Sequence, residues 1–158
     1  MRFNPSLFDK LFDGHPIDAN LSTVRTHSLD ELKNSVARDL ESLLNTRMAF
    51  SEVQLKLFRE CAGSMLTYGL NDFSDRSLAS SEDRSFICES IKRAITRHEP
   101  RLQDVEVALA VREQSVSVLH FAIKALLVIH PAQEPVNFDA LLQPSTHQYS
   151  VTRAKSKA

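Results

Sequence analysis

The sequence predicts an α+β fold in which N-terminal helices pack on a small antiparallel β-meander of three to four strands. Apolar residues first recur every three or four positions through residues 28–98, a spacing typical of helices. From Val105 onward the period changes to two, which is typical of strands. Helices followed by a run of strands indicate an α+β arrangement, with the helices over one face of the sheet.

The composition indicates one globular domain and argues against several classes of function. With 158 residues, of which 42% are hydrophobic and 25% charged, the chain can bury its own core. A formal net charge of -1 argues against nucleic acid or anionic lipid as a partner. There is no long apolar run, the two cysteines form no disulfide framework, and the three glycines build no phosphate loop. We therefore expect a cytoplasmic protein that needs neither a cofactor nor a metal.

The pattern divides the chain into three regions. Residues 1–27 form an N-terminal anchor helix and a linker, residues 28–152 form the α+β domain, and residues 153–158 form a basic tail. We expect the tail to be disordered, because short charged termini bury too little apolar surface to order themselves.

The anchor helix is predicted from the stretch "FNPSLFDKLF". Pro5 suits the first helical position, and Phe8, Leu11 and Phe12 make one apolar face. A helix this short is unstable alone, so it docks either on its own domain or on another protein. The residues leave both possibilities open.

Three further helical segments are predicted. Ser28 and Glu31 form a capping box before a leucine-rich stripe that ends near Asn45, Thr46 and Arg47. A second, weaker face spans Val53 to Met65 before Gly69 ends it. The third helix runs from about Ser80 to His98, and its core stripe consists of Phe86, Ile87, Ile91, Ala94 and Ile95.

The strands follow Pro100. Alternating residues predict strands over about 105–111 and 119–129, then over 136–142, with "THQYSV" as a last strand. The run at 119–129 is also compatible with a buried helix. Its β-branched content and the matching run before it favour a hairpin.

The corner Glu99-Pro100-Arg101 joins the last helix to the first strand and allows two interpretations. The first is a local ion pair that closes the domain's own turn, and the residues alone favour it. The second is a rigid, charged element that a partner recognises, because proline stiffens the corner and arginine offers a forked donor. Arg47 also allows two interpretations: it complements the dipole of the helix that ends there, or it forms a structural or intermolecular hydrogen bond.

Four stretches, "NPSLFDKLFD", "LESLLNTR", "TYGLNDFS" and "RHEPRL", occur in this order. Together they resemble the TssE family, the baseplate wedge subunits of the bacterial type VI secretion system. That family is similar to the lysozyme-like wedge protein of contractile phage tails. The resemblance extends from Asn4 to about Val151.

The resemblance implies a structural, non-enzymatic role on the cytoplasmic side of the inner membrane. The expected partners are the TssF–TssG wedge and the TssB–TssC contractile sheath, whose assembly the family helps to initiate, with TssK as a further candidate. Related units join their neighbours by strand exchange at a sheet edge, and main-chain hydrogen bonds give such contacts their affinity. With the resemblance, the partner interpretation of the corner is favoured. The predicted partner-binding residues are Glu99, Pro100, Arg101, Arg47, Phe8, Leu11 and Phe12.

A peptidoglycan-cleaving muramidase is the alternative that the lysozyme-like label raises. Glycoside hydrolysis needs two carboxylates about 5 to 9.5 Å apart, one of them a proton donor. Glu31 serves a cap, Asp39 and Glu41 leave their helix on different sides, and Glu99 lies beside a cation. The chain also has no tryptophan to stack on sugars. A small regulatory adaptor on the same fold remains a third possibility.

Overall fold

The computed structural model describes residues 28–50, 52–55, 57–73, 76–77, 80–110, 118–129 and 132–154. Its elements are α1 (Leu29–Asn45), α2 (Glu52–Leu55), α3 (Ser81–His98), β1 (Leu102–Ala110), β2 (Leu119–Ile129), β3 (Ala132–Gln143) and β4 (Gln148–Arg153), with short 3-10 turns at Arg59–Gly63 and Met65–Thr67. The predicted anchor helix, the 13–27 linker and residues 155–158 of the basic tail lie outside the described residues. Arg153, predicted to begin the disordered tail, is instead the last residue of β4 and pairs with Asp30. The predicted α+β class is confirmed.

The sheet is a four-stranded antiparallel meander in the order β1-β2-β3-β4. Each strand pairs with the next along the chain. Both long helices lie on one face, with α3 against β1 and α1 against β4. The residues at 119–129 form a strand, so the alternative of a buried helix is wrong.

The core lies between this sheet face and the two helices. The predicted leucine stripe of α1 supplies Leu32, Val36 and Leu40, and α3 supplies Ile91 and Ile95. Opposite them, the odd-numbered residues of β2 are the most buried of that strand, as the period of two requires: Phe121, Ile123, Ala125, Leu127 and Ile129.

The two long helices begin and end as their sequences predict. Ser28 accepts the amide of Glu31 while the Glu31 carboxylate accepts the amide of Ser28 at 2.6 Å, so the capping box is present. Ser80 caps α3, and α3 ends at His98, one residue before the Glu99-Pro100 pair.

The expectation of a helical face over residues 51–70 is wrong. The segment forms one four-residue helix and two 3-10 turns, and Val53, Leu57, Phe58 and Met65 are exposed. Helices gain most of their stability from packing an apolar face, and α1 and α3 already cover the inner face of the sheet. Phe86, also expected in the core, is 37% exposed.

Gly69 fastens the end of this segment to the end of α1. Its φ is +114°, a value that L side chains rarely adopt, and an added Cβ would lie 2.5 Å from the Thr46 carbonyl oxygen. The close approach lets the Leu70 amide donate to the Thr46 carbonyl at 2.9 Å. The Met48 amide in turn donates to the Leu70 carbonyl at 2.9 Å.

Strand β3 begins four residues earlier than expected and includes Pro135 opposite Leu126. Proline disrupts a strand only where its nitrogen is needed by the ladder. The Ala154 amide donates to Asn137, so odd-numbered residues of β3 direct their backbone groups toward β4. Strand β4 reaches only as far as Phe138, and the Pro135 nitrogen therefore faces no neighbouring strand among the described residues.

Candidate functional site

The outer edge of β4 is covered by side chains of α1. Asn45 donates its amide to the Tyr149 carbonyl at 2.8 Å and accepts the Tyr149 amide at 2.7 Å. Glu41 accepts the Val151 amide at 2.8 Å. These three bonds replace those that a fifth strand would make, so this edge is closed to strand addition along Tyr149 to Val151.

The outer edge of β1 is different. The Val128 amide donates to the Arg101 carbonyl at 2.8 Å, which fixes the register of β2 against β1. The backbone groups of even-numbered β2 residues therefore point toward β1. Glu106 and Ala108, opposite Lys124 and Ala122, therefore bond to β2, and the backbone groups of Val107 point away from the sheet. No strand among the described residues pairs with this side of β1.

A groove accompanies the open edge of β1. It consists of two adjoining cavities of about 730 and 750 Å³ between α3 and the strand. Lys92 and Glu106 line both cavities, Arg84 and Glu89 line the first, and Pro100 lines the second. The groove therefore combines unpaired backbone groups with a rim of both charges.

One half-buried thiol lies inside the groove. Cys88 lines the first cavity, and its sulfur forms a hydrogen bond with the backbone of Leu109. Burial raises the pKa of the Cys88 thiol, and the bond to Leu109 lowers it by less. Burial therefore favours the thiol over the thiolate, and the sulfur bonds to the edge strand at Leu109.

The corner Glu99-Pro100-Arg101 lies where β1 begins. Glu99 is buried, with 7% of its side chain exposed, and its carboxylate accepts the Arg101 Nε at 2.6 Å. Arg101 also donates to Asp39 on α1. Burial alone would lower the pKa of Arg101, but the bonds and charges of Glu99 and Asp39 outweigh it and raise that pKa. The charges at the corner thus close an internal network, as the first interpretation expected.

The network still leaves part of the corner accessible. Pro100 is exposed and 26% of the Arg101 side chain faces solvent. Because Pro100 lines the same cavity as Leu102 and Val105, it adjoins the open edge of β1. The partner interpretation of Pro100 and Arg101 therefore stays a prediction, while Glu99 is positioned to hold Arg101 in place.

The other predicted site residues lie elsewhere. Arg47 follows α1 and donates to the carbonyls of Leu44 at 3.3 Å and His147 at 3.0 Å, so it fastens the β3–β4 turn to the helix end. Phe8, Leu11 and Phe12 lie outside the described residues, so their role stays a prediction.

Sequence reasoning missed Asp39, Glu41 and Asn45 as edge and corner residues. Glu41 and Asn45 are four apart on α1, which places both on one side of the helix. That spacing is the only signal in the sequence, and it names no partner strand. Asp39 meets Arg101 across 62 positions, and nothing local predicts that contact.

The acids considered for glycoside hydrolysis all have structural contacts. Glu31 caps α1, Glu41 binds the Val151 amide, and Asp39 and Glu99 share Arg101. Among the described residues, no group of three or more His, Cys, Asp or Glu could hold a metal ion. In the same ranges, no helix has the length and hydropathy of a membrane span.

Comparisons with known proteins give one family. A family model described as baseplate wedge protein gp25 matches residues 30–132. No curated protein matches the chain. A chain from the solved structure "The baseplate complex from the type VI secretion system" is similar at 16% identity with a TM-score of 0.47, covering 72% of this chain and 96% of that one. A likeness of that extent carries no functional inference, so the family match stands on its own.

Proposed function

Because this chain belongs to the family of baseplate wedge protein gp25, its role is that of a structural baseplate component, and we propose that it serves as the TssE subunit of a type VI secretion baseplate. In this role it binds the TssF–TssG wedge, with TssK as a further candidate partner, and helps to initiate the TssB–TssC sheath. It works on the cytoplasmic side of the inner membrane and acts through assembly rather than catalysis.

The observation that carries the proposal is the contrast between the two edges of the sheet. An edge strand with unpaired backbone groups accepts an incoming strand, and main-chain bonds then supply the affinity. The open edge of β1 can accept one strand from a sheath subunit beside Val105 and Val107. Since Asn45 and Glu41 cover β4, addition there is disfavoured, and growth proceeds from one side.

The rim of the groove supports selection of one strand in one register. Arg84 and Lys92 contribute positive charge, while Glu89 and Glu106 contribute negative charge. Main-chain bonds alone are the same for any sequence, so side chains along the groove must supply specificity. A partner strand with complementary charges at alternate positions fits this rim.

The corner supports the same proposal by fixing where the edge begins. Arg101 joins Glu99 to Asp39, so α1 and the start of β1 are held together. Exposed Pro100 then presents a rigid surface next to the second cavity of the groove. In this proposal Pro100 and the accessible part of Arg101 contact the partner directly, and Glu99 positions Arg101.

The first experiment blocks the edge without removing a bond of the sheet. In Val107→Pro the lost amide points away from β2, so the existing ladder keeps its bonds. The full chain carrying this substitution should lose capture of TssB–TssC and fail to support fluorescent sheath foci in cells. The matched variant Val107→Ala keeps the amide and should retain both.

Capture of TssF–TssG by the Val107→Pro chain should continue, which shows that the variant remains folded. Normal sheath assembly by Val107→Pro contradicts strand addition at β1. If the wild-type chain captures neither TssF–TssG nor TssB–TssC, the assignment to this secretion system is wrong.

The second experiment covers the corner while leaving the network intact. Reversing the charge of Glu99 would bury an unpaired cation beside Arg101, so we do not expect that variant to fold normally. Pro100→Trp adds bulk at an exposed position instead, and it should reduce partner capture with little change in stability. Asn34→Trp, at an exposed position of α1, is the control and should behave as wild type. Equal capture by both variants contradicts a contact at Pro100.

The third experiment tests the predicted anchor, Phe8, Leu11 and Phe12. Deleting residues 1–13 removes this apolar face. If the anchor docks on the wedge, as we propose, the remaining chain keeps its stability and loses capture of TssF–TssG. A large loss of stability in the deletion variant places the anchor on its own domain and contradicts the proposal.

A further inference from the structure

A small cavity lies at the end of the domain away from the Glu99 corner. Its volume is about 220 Å³, and it is formed by the start of α3, the loop at Asp72 and Phe73, and the β3–β4 turn. Small-molecule sites usually measure about 300 to 1,000 Å³, so this cavity is smaller than most of them. It has the size for one side chain rather than for a cofactor.

The floor of the cavity is apolar. Ile87 and Tyr149 are buried, while Leu142 and Phe73 are partly exposed at its sides. Such a floor favours an aliphatic or aromatic group, because transfer of apolar surface out of water is favourable. The Tyr149 ring also packs against the ring of Phe121 in the core, with 6.2 Å between the ring centroids, and this contact holds the floor in place.

The rim carries two arginine side chains, and both are held by hydrogen bonds. Arg47 bonds to two carbonyls, those of Leu44 and His147, and neither contact neutralises its charge. Arg76 donates from Nη1 to the Asp83 carboxylate at 3.0 Å, and its guanidinium carbon lies 4.4 Å from the centroid of the Phe86 ring.

Each guanidinium has five N–H donors in a fixed fork that suits a carboxylate. The carbonyl contacts of Arg47 and the Asp83 contact of Arg76 therefore leave donors of both side chains for a carboxylate. His147 adds a ring nitrogen at the same rim. Among the described residues that line the cavity, Asp72 is the acid.

We propose that this cavity binds the C-terminal residue of a partner polypeptide, with the apolar side chain on the floor and the terminal carboxylate between Arg47 and Arg76. The combination of an apolar floor and two held guanidinium groups is what such a terminus requires, since it carries both features on one residue. The cavity lies apart from the open edge of β1, so this inference does not depend on strand addition.

The test uses two probes that differ only in charge. N-acetyl-L-phenylalanine carries the carboxylate, and N-acetyl-L-phenylalaninamide has the same side chain without the charge. Titration of the full chain, followed by two-dimensional NMR, should shift the signals of Ile87, Leu142 and Tyr149. The carboxylate probe should bind about tenfold more tightly, as a single charge-assisted hydrogen bond provides.

Arg76→Gln should weaken binding of the carboxylate probe about tenfold and leave binding of the amide probe unchanged. Arg76 is exposed, so this variant should fold normally. Arg97→Gln removes an exposed arginine on α3 that lies ten positions after Ile87 of the cavity floor, about 15 Å along the helix, and it should change neither affinity. Equal affinity for both probes, shifts confined to other regions, or no binding at millimolar concentration overturns the proposal.

Discussion

The two edge strands of the sheet differ in how their outer backbone groups are bonded. Helix α1 extends Asn45 and Glu41 over the edge of β4 and bonds to its outward backbone groups. Helix α3 lies beside β1 with a groove between them, and in this groove the backbone of Leu109 bonds to the Cys88 sulfur. The same meander thus has one closed edge and one open edge.

The difference teaches how one domain can accept strands without polymerising with itself. Two open edges would allow copies of the chain to pair edge to edge. Closing β4 with side chains removes one of these surfaces while leaving β1 available. The corner at Glu99 holds α1 at Asp39, and Arg47 holds the C-terminal end of α1 to the β3–β4 turn. These contacts position the helix whose side chains close the β4 edge.

The largest effect is expected at the corner of β1. Glu99→Ala leaves the partly buried Arg101 with Asp39 as its remaining acid, and we expect a loss of about 2 to 4 kcal/mol in the free energy of unfolding. Asp30→Ala removes the exposed pair with Arg153 near the end of β4 and should cost less than about 1 kcal/mol. Urea unfolding measures both, and equal losses would contradict a structural role for the corner.

A matched pair of prolines compares the two edges directly. Val107→Pro and Val151→Pro each remove an amide that points away from the sheet. Only Val151→Pro also leaves Glu41 without its backbone donor, and an unsatisfied partly buried acceptor costs about 1 to 3 kcal/mol. Val151→Pro should therefore be less stable than Val107→Pro by that amount in urea. If the two variants have the same midpoint, the edges do not differ in the way the contacts indicate.

Opening the closed edge should have a smaller effect on stability. Asn45→Ala removes two hydrogen bonds to Tyr149, and we expect a loss of about 1 to 2 kcal/mol. Asn34→Ala, at an exposed position of the same helix, is the control and should change stability by less than about 0.5 kcal/mol. Because Asn45→Ala exposes the backbone of β4, light scattering should also show more self-association than in the control.

The smallest expected effect is a pH dependence of stability that comes from His98, at the end of α3 nearest the start of β1. Burial lowers the pKa of His98, the bond to the Thr67 carbonyl raises it by less, and the charge of Arg97 lowers it further. The unfolded chain therefore binds more protons than the folded chain below the ordinary histidine pKa of about 6.5, so stability falls as the pH decreases through that range. His98→Gln should reduce the difference in urea midpoint between pH 5.5 and 7.5. An unchanged difference would show that other groups cause the dependence.

The long helices and the strands were predictable because their signals are local and agree with their surroundings. The capping box at Ser28 and the stripe of α1 specify a helix whatever it packs on, and the Glu99-Pro100 pair ends α3. The segment from Val53 to Met65 has a similar period, yet the described part of the chain leaves it no surface on which to pack. Periodicity alone cannot show whether such a surface exists.

The predicted baseplate family is confirmed by the match over residues 30–132. The motif "RHEPRL" pointed to the corner, but its residues alone did not distinguish an internal network from a partner contact. That distinction needs the position of Asp39, which the sequence places 62 residues away. The partner contacts of Pro100, Arg101, Arg47, Phe8, Leu11 and Phe12 remain predictions.

By itself, the sequence determined the elements of this protein: two capped helices, a meander with a period of two, and a stiff corner between them. Only the tertiary structure decided which edge is open, because that depends on where Asn45 and Glu41 meet a strand about a hundred residues later. Backbone groups at a strand edge are identical in every sequence. Whether they are available is therefore a property of what the fold places beside them.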